Sequence, residues 1–153
     1  ALTMSRSVMP GCIRPLKRHF SKLATALPLQ AGASGLVVLT QDWRVTRKLV
    51  DNAAAVEQEY VVDVATLTGA DALKKLNHRS SLNGKPLPPT KVSQQTETRL
   101  RFALKGAVPG QIAFLCESAG LPVLALKRLR IGRVSLARMP ESEWRYLPAG
   151  ERF

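Results

Sequence analysis

Few residues of this chain have the type and spacing that acid–base, covalent or metal chemistry needs. His19 and His78 are isolated, with no nucleophile beside them and no partner at metal-ligand spacing, and they read as surface histidines. Cys12 and Cys116 form no Cys-x-x-Cys pair, so a zinc site or a disulfide framework is not expected and a reducing cytoplasm is the default setting. Cys116, between Phe114-Leu115 and Glu117-Ser118, reads as core packing. Gly32 and Gly35 lack the preceding strand and the lysine of a phosphate loop. Carboxylates are scarce where a loop-borne acid would be useful: none occurs before Asp42.

Cations are abundant. Lys and Arg total 23 against 11 acids, a net charge of +12, and the pI is near 10.5. The chemistry these side chains offer is phosphate binding. A domain this basic usually meets a polyanion, most often nucleic acid and sometimes a membrane surface; a merely soluble basic protein is the plainer alternative. Arg44, Arg47 and Lys48 share one side of a short helical pattern. Lys127, Arg128, Arg130, Arg133 and Arg138 follow one another with no acid among them. Such a stripe can hold several phosphates with salt-dependent affinity, or it can be a solvated strand edge guarded by charge. Aromatic content of 5% does not support an extended base-stacking platform.

Several elements must position these groups. "GLVVLT" (35–40) is read as one buried strand, and Asp42 as the N-cap of a helix reaching about Asn52, with Val45 and Leu49 on its inner face. "EQEYVVDVA" (57–65) alternates as a strand, "GADALKKLN" (69–77) is a short helix, and Asn83-Gly84 marks a turn. "TRLRFALKG" (98–106) alternates with Leu100, Phe102 and Leu104 on one side. Residues 109–120 form a helix opened by Pro109 and closed by Gly120. "LPVLALKRLRIG", "RVSL" and "EWRYL" complete the strands. Strands and helices do not alternate strictly, which predicts an α+β domain with a mixed, largely antiparallel sheet flanked by helices. At 153 residues one domain is expected, over 27–153, behind a basic lead-in at 1–26. That acid-poor lead-in suits a transit peptide or a phosphate-touching arm, though no helical apolar stripe supports the former. No apolar run approaches the roughly 20 residues that span a bilayer.

The ordered set "ASGLVVLTQD", "EYVVDV", "LNGKPLPPTKV", "LRFALKG", "GQI" and "VLALKRLRIGRVSL…EWRYL" resembles the catalytic domain of the ribosomal RNA pseudouridine synthases of the small-subunit type and their single-site large-subunit relatives. The likeness runs from about Leu27 to Glu151, and its C-terminal block is closest. It implies a mixed sheet crossed by an RNA cleft, and isomerisation of uridine to pseudouridine with no cofactor and no metal. It implies ribosomal RNA as partner and no membrane. Members often carry a small basic RNA-binding domain ahead of the catalytic one, and nothing before Leu27 is long enough to be one.

The resemblance also implies where the chemistry sits. In these enzymes an aspartate in a Gly-Arg-Leu-Asp-x-x-Thr-Ser-Gly-Leu motif attacks the nucleotide, because the base must be detached and re-added. A tyrosine from a Lys-x-Tyr strand packs on the flipped base, and an arginine from an Arg-Gln-Ile-Arg-Arg helix start holds the aspartate ionised. Anchored on Ser34-Gly35-Leu36, the aspartate position is Gln30, and the residues before it are Leu27-Pro28-Leu29. The tyrosine is Tyr60, in Gln58-Glu59-Tyr60 without the lysine. The helix start is Gly110-Gln111-Ile112-Ala113-Phe114, with Gly110 at the arginine position and only Gln111 and Ile112 retained.

The expectation is therefore an RNA-binding member of the family with a dismantled active site. It would grip RNA through Arg44, Arg47, Lys48, Gln111, Lys127, Arg128, Arg130 and Arg133. Two alternatives stand beside it: an active synthase using another carboxylate such as Glu59 or Asp63, and a scaffold for ribosome assembly.

Overall fold

The computed structural model describes residues 5–6, 14–66, 69–78 and 80–153. Cys12 and residues 1–4 and 7–13 of the basic lead-in lie outside the described residues. In chain order the strands are β1 (Ser5–Arg6), β2 (Ala24–Ala26), β3 (Ala33–Gly35), β4 (Val38–Thr40), β5 (Glu57–Val64), β6 (Ser81–Leu82), β7 (Lys85–Pro86), β8 (Thr90–Thr96), β9 (Arg99–Lys105), β10 (Val123–Ile131), β11 (Val134–Ser135) and β12 (Glu143–Trp144). The helices are α1 (Trp43–Val50), α2 (Gly69–Asn77) and α3 (Gln111–Ser118), with short 3₁₀ turns at Lys17–Phe20 and Ala53–Ala55.

Period-two patterning decides the centre of this fold. Along β5, Gln58, Tyr60, Val62 and Val64 are buried in strict alternation, and along β9 so are Leu100, Phe102 and Leu104. The two strands pair antiparallel, with Tyr60 opposite Phe102 and Val62 opposite Leu100. One face of the sheet is therefore apolar. α2 and α3 cover it with Ala72, Leu76, Ile112, Leu115 and Cys116. Each fully buried large apolar side chain there contributes about 1.5–3 kcal/mol. Cys116 is a core residue, as its setting implied, and burial pushes its thiol up to about 11.

The main sheet runs β11-β10-β5-β9-β8, and β3 joins the outer side of β10 in parallel. Every other pairing within it is antiparallel, so the α+β reading holds. On the far side, β8 has an unpaired edge. There the Asn77 side chain accepts from the Val92 N–H (2.9 Å) and donates to the Val92 carbonyl (3.1 Å), which blunts that edge against strand addition.

Local signals were reliable where a short-range mechanism sets the geometry. Asp42 caps α1 by accepting from the Arg44 N–H at 2.9 Å. Asn83 (φ 54°) and Gly84 (φ 76°) turn the β6–β7 hairpin in the left-handed conformation that favours these two residues. Three readings need correction. "GLVVLT" is two strands, broken at Leu36-Val37: β3 pairs with β10, while β4 pairs with β2. The second half is not buried, and Leu39 faces solvent. The 24–26 end of the expected lead-in is β2, whose Ala26 is fully buried in a second core with Leu36, Leu49, Val56, Ile131 and Val134. His19 is half-buried rather than a surface residue, with Nδ1 2.7 Å from the Tyr146 hydroxyl; His78 is exposed.

Candidate functional site

The loop from Leu27 to Leu36 is the segment to which the sequence resemblance assigns the nucleophile. It turns at Gln30, whose carbonyl accepts the Ala33 N–H at 3.0 Å, and then runs along β10 with Gly35 opposite Arg128. Arg128 holds both ends of it. Its Nε donates to the Leu36 carbonyl (2.8 Å) and Nη2 to the Leu27 carbonyl (2.7 Å). Nη1 donates to Oε1 of Gln58 (3.3 Å), which also accepts the Tyr60 hydroxyl at 3.0 Å. Arg128 is 1% exposed, and no carboxylate pairs with it among the described residues. A buried guanidinium is tolerated here because neutral oxygens meet its donors.

This corrects the stripe reading. On β10, Arg128 faces the core while Lys127, opposite Val61, lies half-buried on the other face of the sheet. Gln111 is likewise structural rather than RNA-facing. Fully buried, it donates to the Pro88 carbonyl (3.2 Å) and Thr90 Oγ1 (3.0 Å) and accepts the Val108 N–H (3.1 Å). The Tyr60 ring is 2% exposed within the main core, so stacking on a base requires its covering groups to move. Ala33 from the loop, and Ala107 and Phe114 flanking the start of α3, pack against the same buried cluster as Tyr60. The loop, the tyrosine strand and the first turns of α3 thus each contribute to one core cluster. Gly110 stands at the N-cap of α3 with φ 79° and no side chain.

The carboxylates of β5 are turned away from Tyr60. Glu59 and Asp63 alternate with Gln58, Tyr60 and Val62, so they point to the opposite face of β5. Asp63 is held by Arg99 (2.6 Å), and Glu59 by Arg101 and Arg130, the latter at 2.9 Å. Asp42 is engaged in capping α1 and in an ion pair with Arg44. The Arg130 hydrogen bond, aided by Arg101 and opposed by burial, holds the Glu59 carboxyl down at about 2, against 4.5 ordinarily. A depressed carboxyl stabilises the fold fully above its unfolded value and loses that contribution as pH falls through the folded one. Urea midpoints should therefore fall from about pH 4.5 toward pH 2 less steeply in Glu59→Gln than in the parent. Parallel pH curves for the two proteins would show that the Arg101–Glu59–Arg130 bridge adds no stability.

Most of the other predicted cations meet elsewhere. Arg44, Arg47, Lys48, Arg130 and Arg133 line one open groove of about 1020 Å³ between α1 and the β10–β11 turn. Sequence reasoning missed two further members, Trp43 and Lys105. Trp43 had a visible signal, an aromatic residue directly after the helix cap on an otherwise basic helix. Arg138 is exposed and lies apart from the groove.

This mixed sheet is the architecture that the sequence resemblance implies, a pseudouridine synthase-like domain. No family model matches the chain. It is 30% identical over 145 residues to an uncharacterized RNA pseudouridine synthase of Aquifex aeolicus (strain VF5), covering 93% of this chain and 60% of that protein. It is 28% identical over 123 residues to the dual-specificity RNA pseudouridine synthase RluF of Escherichia coli (strain K12), covering 80% of this chain and 42% of that one. Its fold superposes on a crystal structure of a pseudouridylate synthase with a TM-score of 0.76 at 25% identity, over 83% of this chain and 56% of the other. In sequence and in fold the chain is similar to RNA pseudouridine synthases. It spans between 42% and 60% of the length of these two curated relatives.

Proposed function

We propose that this chain binds RNA, ribosomal RNA foremost, in a cytoplasmic setting and does not isomerise uridine. The observation that carries the proposal is a glutamine, Gln30, where the sequence resemblance assigns the nucleophilic aspartate. Detaching and re-adding a base needs a carboxylate, and a glutamine amide is neutral and a poor nucleophile. Losing a covalent nucleophile costs on the order of 10⁴–10⁶ in kcat. The two acids nearest Tyr60 in sequence, Glu59 and Asp63, face away from it and are already ion-paired. Gly110 at the arginine position fits the same reading, because no guanidinium stands there to hold a carboxylate ionised. The basic groove supports RNA as the partner: six cations and two carboxylates line it.

The test is pseudouridine mapping of ribosomal RNA incubated with the purified chain. No modified site above background is the expected result. Gln30→Asp together with Gly110→Arg is the smallest change expected to permit any. Space is open at Gly110, but φ 79° imposes about 1–2 kcal/mol of strain on an arginine. A site formed by the unmodified chain and abolished by Glu59→Gln or Asp63→Asn would overturn the proposal.

A further inference from the structure

None of Gln30, Tyr60, Gly110 and Arg128 lines the α1 groove. Glu57, Lys105 and Arg130 within it alternate with Gln58 and Leu104, the buried residues of β5 and β9, and with Ile131 of β10. Three of its cations, Lys48, Lys105 and Arg133, have no ion-pair partner among the described residues. Arg44 and Arg47 are tied only to exposed acids of their own helix, contacts worth little in water. Beside them stands Trp43, 66% exposed and the most open aromatic ring in the described chain. Its indole presents an open aromatic face beside these cations, which is the surface a base can stack on.

We infer that this groove is a second RNA contact, separate from the family's cleft, and that it takes a single-stranded segment. Unpaired bases offer a free face to Trp43, whereas the stacked bases of an A-form duplex do not. Lys48, Lys105 and Arg133 hold the adjoining phosphates. An acidic protein segment matches the charge but leaves the indole without a flat partner. The inference rests on the RNA-binding reading above and adds the site and strandedness.

The experiment measures binding of a fluorescein-labelled oligouridylate, a hairpin RNA of equal length and polyglutamate to the whole chain. The oligouridylate affinity falls with salt with a slope of about −2, for three neutralised phosphates. Trp43→Ala weakens it about 5–160-fold, the range for one lost base–aromatic stack, whereas Trp43→Phe retains most of it. Lys48→Gln with Arg133→Gln flattens the salt slope. Trp43→Ala leaves hairpin affinity unchanged, and circular dichroism confirms an intact fold. Unchanged oligouridylate affinity in Trp43→Ala, or polyglutamate bound as tightly as oligouridylate, overturns the groove while leaving RNA binding in place. If the parent chain binds neither RNA, the RNA-binding reading falls and the groove falls with it.

Discussion

Arg128→Ala should lower the unfolding free energy by about 3–5 kcal/mol, read from urea titration, and should open the 27–36 loop to proteolysis before global unfolding. The guanidinium donates to two backbone carbonyls at the two ends of that loop and to the Gln58 amide oxygen. Removing it strips donors from acceptors that have little access to water, at about 1–3 kcal/mol for each acceptor left unmet. The total stays below the sum because the variant no longer buries a cation. Arg128→Lys should fall between the two. An ammonium is a point charge on a flexible stem and cannot reach three acceptors that a planar fork spans. A loss under about 1 kcal/mol in Arg128→Ala would show that the loop is held by its β3 pairing alone.

Gly35→Ala should cost about as much, by a different mechanism. A Cβ there would lie 2.2 Å from the Arg128 carbonyl oxygen and 2.7 Å from its nitrogen. Both are backbone atoms of the central strand that β3 pairs with, and they cannot swing aside. The φ of 103° adds strain for any L side chain. Overpacking and strain each cost about 1–3 kcal/mol. Gly32→Ala is the control. Its φ is 77° but nothing lies within 4 Å of the added carbon, so only the conformational part remains, about 1–2 kcal/mol. Equal losses in the two variants would mean that the close approach to β10 is relieved by a small shift of the loop.

Both effects concern one contact, β3 docked on Arg128, and neither participant declared its role in the sequence. Gly35 was legible as part of a family motif, and Arg128 as one of five cations. Their meeting was not legible, because they are separated by most of the chain and joined by a parallel pairing that no local pattern announces. The same limit explains "GLVVLT". Its residues are β-branched enough for a strand, yet its halves pair with different partners, and only the partner decides which side chains are covered.

The sequence by itself determined the elements whose cause is local: β5 and β9 by alternation, α1 by the Asp42 cap, the β6–β7 turn by Asn83-Gly84, and α2 by its short helical pattern. It also supplied the basis for the proposal on catalysis, since no acid lies between Ala1 and Gln41 and the resemblance assigns the nucleophile to Gln30. Only the tertiary structure decided what each cation does. On a strand, neighbouring side chains leave by opposite faces, so a run of basic residues cannot act as one stripe. Lys127 went to the open face and Arg128 into the core as the clamp of the loop. Arg130 and Arg133 went to the α1 groove, where Trp43 and Lys105 joined them from other elements. Burial and partnership depend on which elements come together, and no window of sequence contains that information.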